Sequence, residues 1–134
     1  MIVFPDVERE TRDYLLEVLR PSWPDLDVRL GIPDNIDWQI DKPYLVTIVV
    51  TGTGNRSDVV YERVLIGFEV FAPTQSEASR LVREVRAHIG NWPSVSGLVS
   101  GQSDNARPAR SGSPDVSYPS YWYAANINFK ATDY

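Results

Sequence analysis

The chain has 134 residues, with 13 Lys/Arg against 18 Asp/Glu, one histidine and no cysteine. That length fits a single domain able to bury roughly two thirds of the surface its unfolded chain exposes. The missing cysteines exclude disulfides, zinc-thiolate sites and cysteine nucleophiles, and they suit a reducing compartment. The acidity is uneven: residues 1–72 hold 7 basic and 13 acidic side chains, and residues 73–134 hold 6 and 5. Phosphate binding works by Lys and Arg displacing condensed counterions, so tight non-specific DNA binding is not expected of such a chain. The opening Met1-Ile2-Val3-Phe4-Pro5-Asp6 has neither a basic segment nor a long apolar run. No stretch approaches the roughly 20 apolar residues of a membrane span, so neither export nor membrane insertion is expected.

The first predicted element is a helix from Asp6 to about Leu19, because Val7, Thr11, Tyr14, Leu15 and Val18 share one face at helical spacing. Arg9, Arg12, Asp13 and Glu17 then face water, Asp6, Glu8 and Glu10 favour the N-terminus, and Arg20-Pro21 closes the other end. Pro21, Pro24, Pro33 and Pro43 break up the next segment, leaving a short strand around Asp27–Leu30 and a loop over Gly31–Lys42. Tyr44–Thr51 is β-branched and nearly all apolar, which predicts an inner strand. After the turn-rich Gly52–Ser57, Val59–Ala72 reads as a long partner strand. Gly67, inside that run, predicts a bulge or a place where a backbone or ring packs close.

Thr74-Gln75-Ser76-Glu77 matches a capping box and opens a second helix with Ala78, Leu81, Val82, Val85 and Ile89 as its apolar stripe. Gly90 is expected in the left-handed C-terminal position, with Pro93 preventing continuation. Val95–Gln102 reads as a short strand and Ser103–Asp115 as a mobile polar loop. The last strand alternates Tyr121, Tyr123, Ala125, Ile127 and Phe129 with Trp122, Ala124, Asn126, Asn128 and Lys130, so one face is core and the other wetter. The order α-β-β-β-α-β-β predicts a single two-layer α+β domain over 1–134. Its four or five mostly antiparallel strands carry two helices packed on one face.

Reactive constellations are scarce. His88 is the sole histidine and lies late in the second helix, where interaction with the last carbonyls is the simpler role, and no Gly-x-Ser-x-Gly elbow accompanies it. Asp25, Asp27, Asp34, Asp37 and Asp41 do not have EF-hand spacing and read as turn formers. Gly52-Thr53-Gly54-Asn55-Arg56-Ser57 lacks the Lys and the following helix of a phosphate loop, and Asn55-Arg56-Ser57 needs secretion to act as a glycosylation site. No catalytic, cofactor or metal residue is assigned. Contact surfaces are nominated instead: Arg56, Arg80, Arg83, Arg86, Arg107, Arg110 and Trp122, because Arg and exposed aromatic rings are enriched at interfaces.

The pattern resembles the tail terminator proteins of long-tailed, siphovirus-type bacteriophages, particularly those of actinobacteria. The resemblance runs through Ile2–Glu8 into Tyr14-Leu15, Asp25–Arg29, Gly67–Ala72 into Ser76-Glu77-Ala78, and a long polar segment before Tyr121-Trp122-Tyr123. It implies a non-enzymatic virion protein, without cofactor, assembled in the bacterial host cytoplasm. Such proteins form a ring, typically a hexamer, on the head-proximal end of the tail tube. The ring stops polymerisation and offers a docking face to the head. The implied partners are further copies of the chain, the major tail tube protein and the head-closure or connector protein, with genome DNA passing through the lumen and no membrane involved. The acidic first half of the chain would suit such a lumen. On this reading Thr53–Arg63 and Ser103–Asp115 are expected to order against neighbours, with Arg107 and Arg110 on an acidic partner surface. The alternatives are a head-closure or adaptor protein and, further off, a small-molecule-binding α+β domain.

Overall fold

Apolar side chains recur every three or four residues along two segments and every second residue along several others, so helix faces and a sheet face must bury one another. The computed structural model describes residues 2–31, 43–50, 61–110 and 119–133. A short strand β1 (Ile2–Val3) precedes helix α1 (Val7–Leu19). The Asp6 carboxylate accepts from the Arg9 amide at 3.2 Å, satisfying one of the helix's open donors. Thr11 is buried on the inner face of α1 because its hydroxyl donates to the Val7 carbonyl at 2.6 Å and leaves only its methyl to the core. Strand β2 (Leu26–Leu30) follows, then β3 (Tyr44–Val50) and β4 (Tyr61–Phe71). The expectations for Gly52–Ser57 and for most of Gly31–Lys42 fall outside the described residues.

Helix α2 (Gln75–Val95) is capped by the Thr74 hydroxyl, which accepts from the Glu77 amide at 3.2 Å. The Glu77 carboxylate pairs with the Tyr44 hydroxyl of β3. That bond, with burial, raises the phenol's pKa. The expected stop at Gly90 and Pro93 is overturned. The helix runs through Pro93 to Val95, and among the described residues the glycine with a positive φ is Gly31, at 81°. Trp92 supplies the reason. It is 2 % exposed, stacks on Tyr14 of α1 with centroids 4.5 Å apart and planes 2° from parallel, and meets Phe129 edge-on at 5.5 Å. Burying a ring of that size stabilises by about 3 kcal/mol or more, which offsets the roughly 3 kcal/mol of a proline in a helix.

A second expectation also changes. Residues 103–110 are not loop: β5 (Val99–Arg110) is a twelve-residue strand, and residues 111–115 lie outside the described residues. The segment lacks large apolar side chains because β5 is a sheet edge, so Val99 alone among its residues is fully buried. Its stability comes from backbone pairing with β6 (Ser120–Lys130), with register shifts after Val99, Asp104 and Ala106. Such bulges and Pro108 are tolerated on an edge, where an amide need not enter a ladder.

The sheet has five strands in the order β2-β3-β4-β6-β5. β2 and β3 are parallel and the other neighbours antiparallel. β4 and β6 pair without interruption from Tyr61↔Lys130 to Phe71↔Ser120. Both helices cover the face that carries Val46, Ile48, Ile66, Phe68, Tyr123 and Ile127, and Leu15, Leu19, Leu81, Val85 and Ile89 close the core from above. On the other face, β3 also buries Leu45 and Thr47, as an inner strand should. There the Trp122 ring lies across Gly67: a Cβ at residue 67 would stand 2.6 Å from indole Cζ2. The β4–β6 register stays regular at that point, so the glycine answers to ring packing and not to a bulge. A second small sheet pairs β1 with β7 (Thr132–Asp133).

Candidate functional site

The three arginines on α2 are all exposed, and all have partners within the chain. Arg80 lies 4.2 Å from the Trp23 ring centroid and 3.2 Å from Glu84, whose carboxylate also accepts from the Trp23 indole at 3.2 Å. Arg83 donates to the Ser79 carbonyl at 3.2 Å. Arg86 reaches across to β5 and binds Asp104 at 2.7 Å. Trp122 is half-buried over Gly67. Arg56 lies outside the described residues. Arg107 and Arg110 are exposed on β5, and neither forms an ion pair with a described residue.

Asp104 is the hub between α2 and β5, and sequence reading missed it because its segment read as loop. It accepts from the Tyr123 hydroxyl at 2.6 Å, from Arg86, and from the Gln102 amide at 3.1 Å. Burial alone would raise the Asp104 carboxyl, but the Tyr123, Arg86 and Gln102 donors outweigh it and hold the group below the ordinary carboxylate range. The same contact acts in reverse on Tyr123: burial, then the bond to Asp104, pushes its phenol well above the usual range. These groups satisfy one another, so the cluster fixes the strand to the helix.

A groove of about 500 Å³ opens between α1 and the last turns of α2. Its floor is the stacked pair Tyr14–Trp92, with the Tyr14 hydroxyl donating to the His88 carbonyl at 2.6 Å. Val18, Val95 and Leu98 add apolar wall, and Val95 is 60 % exposed. Along the other side stand Glu10, Asp13 and Glu17, brought to one face by their spacing on α1. No Lys or Arg lines the groove. Burial, followed by the charge of Glu17, raises the Tyr14 phenol, so the ring stays neutral beside this acidic wall. In sequence Asp13 and Glu17 read as solvent-facing and Glu10 as charge favouring the helix N-terminus, because the expected helix stop removed Trp92, the groove's floor, from consideration.

Among the described residues no three His, Cys, Asp or Glu side chains converge on a metal position. Asp27 is occupied by its own strand: it accepts from the Val28 amide at 2.9 Å and from Arg29 at 2.8 Å, whereas Asp34, Asp37 and Asp41 lie outside the described residues. His88 borders the groove, but its backbone carbonyl is the atom that makes the contact. No family model matches the chain, and no curated protein matches it. No described helix is long and apolar enough to cross a membrane. The described residues present two charged surfaces, an acidic apolar groove and a basic strand edge.

Proposed function

We propose that the chain is a structural subunit of a bacteriophage tail, a terminator that caps the head-proximal end of the tail tube as a ring, stops its growth and offers the head a docking face. The observation that carries this reading is β5, a twelve-residue polar edge strand ending in two exposed arginines that no acidic residue of the described fold neutralises. Bulges and Pro108 blunt backbone pairing along this edge, so what it offers a neighbour is its side chains, the two arginines foremost. The element order and the polar segment before an aromatic last strand support it by resemblance, which is an argument from analogy.

The test is electron microscopy of tails assembled without this protein. Overlong or headless tubes are expected. Tails of normal length, joined to heads, would overturn the reading.

A further inference from the structure

Resting on the ring reading above, we infer that the groove between α1 and α2 receives the Arg107–Arg110 end of β5 from a second copy of this chain. The groove combines an apolar floor with Glu10, Asp13 and Glu17; Arg9 reaches Asp13 at 3.8 Å from beside the groove, and none of the lining residues is a cation that could pair with Glu10 or Glu17. The β5 end carries two arginines without an acidic partner among the described residues. Each surface therefore supplies what the other lacks. Arginine suits such a groove because its alkyl stem covers apolar surface and its planar head stacks on a ring such as Tyr14 while pairing with carboxylates.

The spacings are compatible. Glu10 and Glu17 are seven residues apart on α1, roughly 10 Å at the rise of an α-helix. Arg107 and Arg110 are three residues apart, and the bulge between Ala106 and Ala109 shortens that to roughly 7 Å along the strand, a difference the long arginine side chains span. Ala106 faces Ala124 and Ala109 faces Trp122, two positions on one side of β6, so the extra residue of this bulge puts positions three apart on a common face. Arg107 falls within that bulge and Arg110 pairs with Tyr121 just beyond it, so both sit at the same end of the strand.

A chain cannot satisfy its own groove. Leu98 lines the groove and immediately precedes β5, and Arg107 lies about seven positions further along the β6 ladder, roughly 23 Å away. The contact is consequently between copies. Because it joins two different patches, it is head-to-tail, the kind that closes into a ring when the rotation permits.

The absence of native cysteine makes a clean test available. The full chain carrying Asn91→Cys in the groove and Ala109→Cys beside the arginines is treated with a short bismaleimide in concentrated solution at low salt. A ladder of covalent multimers is expected, whereas either single-cysteine chain stops at dimers. Charge reversal by R107E/R110E, or by E10R/E17R, lowers the ladder yield on the order of tenfold, and high salt lowers it for the parent. Mixing the two reversed chains restores it, because each then meets a neighbour of opposite sign. No ladder from the double-cysteine chain, or a ladder that survives R107E/R110E, overturns the inference; so does Asn91→Cys cross-linking to a different tail protein with the self-ladder unchanged. Failure here leaves the tail-length experiment intact, and a ladder alongside normal tails made without the protein would sink the terminator reading while the contact stands.

Discussion

Replacing Gly67 with alanine adds one methyl group where the Trp122 ring already lies, with Cζ2 2.6 Å from the position the new carbon would take. Neither side can give way easily. Gly67 is paired to Val49 on one side and Ala124 on the other, so its backbone is fixed in the middle of the sheet. The ring must then leave its seat, and overpacking of this kind costs about 2–3 kcal/mol. In a Trp122→Ala background the obstacle is gone, and the same substitution should stabilise by roughly 0.5–1 kcal/mol, because glycine is a poor strand residue. The double-mutant cycle therefore has a coupling energy of about 3 kcal/mol and a change of sign, measurable by urea denaturation followed by far-UV circular dichroism. An equal cost of Gly67→Ala in both backgrounds would refute the assignment of that glycine to ring packing.

Other substitutions probe the remaining supports. Thr74→Ala removes the hydroxyl that accepts from the Glu77 amide and should cost about 1 kcal/mol in the same melts. Trp92→Ala should cost about 3–5 kcal/mol, since the ring is almost fully buried between Tyr14 and Phe129, and a loss below 1 kcal/mol would show that the last turns of α2 are not held by it. Asp104→Asn tests the link between α2 and β5 through pH. The folded carboxyl titrates below its unfolded value of about 3.9, so its contribution is present above that pH and fades as the pH falls through the lower folded value. The parent should accordingly exceed the Asn variant in stability at neutral pH, by no more than about 1 kcal/mol for so exposed a pair, and the gap should close in acid.

Where side-chain burial dictates structure, the sequence was readable. α1, the inner strands β3 and β4, the stripe on α2 and the alternation of β6 all follow from apolar spacing, as does the α+β layering. The meaning of Gly67 was half visible, because a glycine in a strand announces close approach without naming the ring that approaches. The failures share a cause. Gly90 and Pro93 carry local signals for a helix end, and the burial of Trp92 against Tyr14 of α1, far away in the chain, overrides them. From Ser103 onward β5 carries local signals for a loop, and the pairing that makes it a strand is supplied by β6, whose backbone contributes nothing to the composition of residues 103–110. The groove and the Asp104 cluster were hidden for these same two reasons, one depending on each misread segment.

The uninterrupted ladder between β4 and β6 has a kinetic consequence. These strands form the middle of the sheet, yet α2 and β5 separate them along the chain. β5 and β6 are chain neighbours and can meet early, whereas the central seam closes only after the loop enclosing α2 and β5 has been drawn together. Refolding is therefore expected to pass its barrier late, with the β5–β6 pair and α2 already in place. The part of the molecule that looks most secure at equilibrium is then the last to be made.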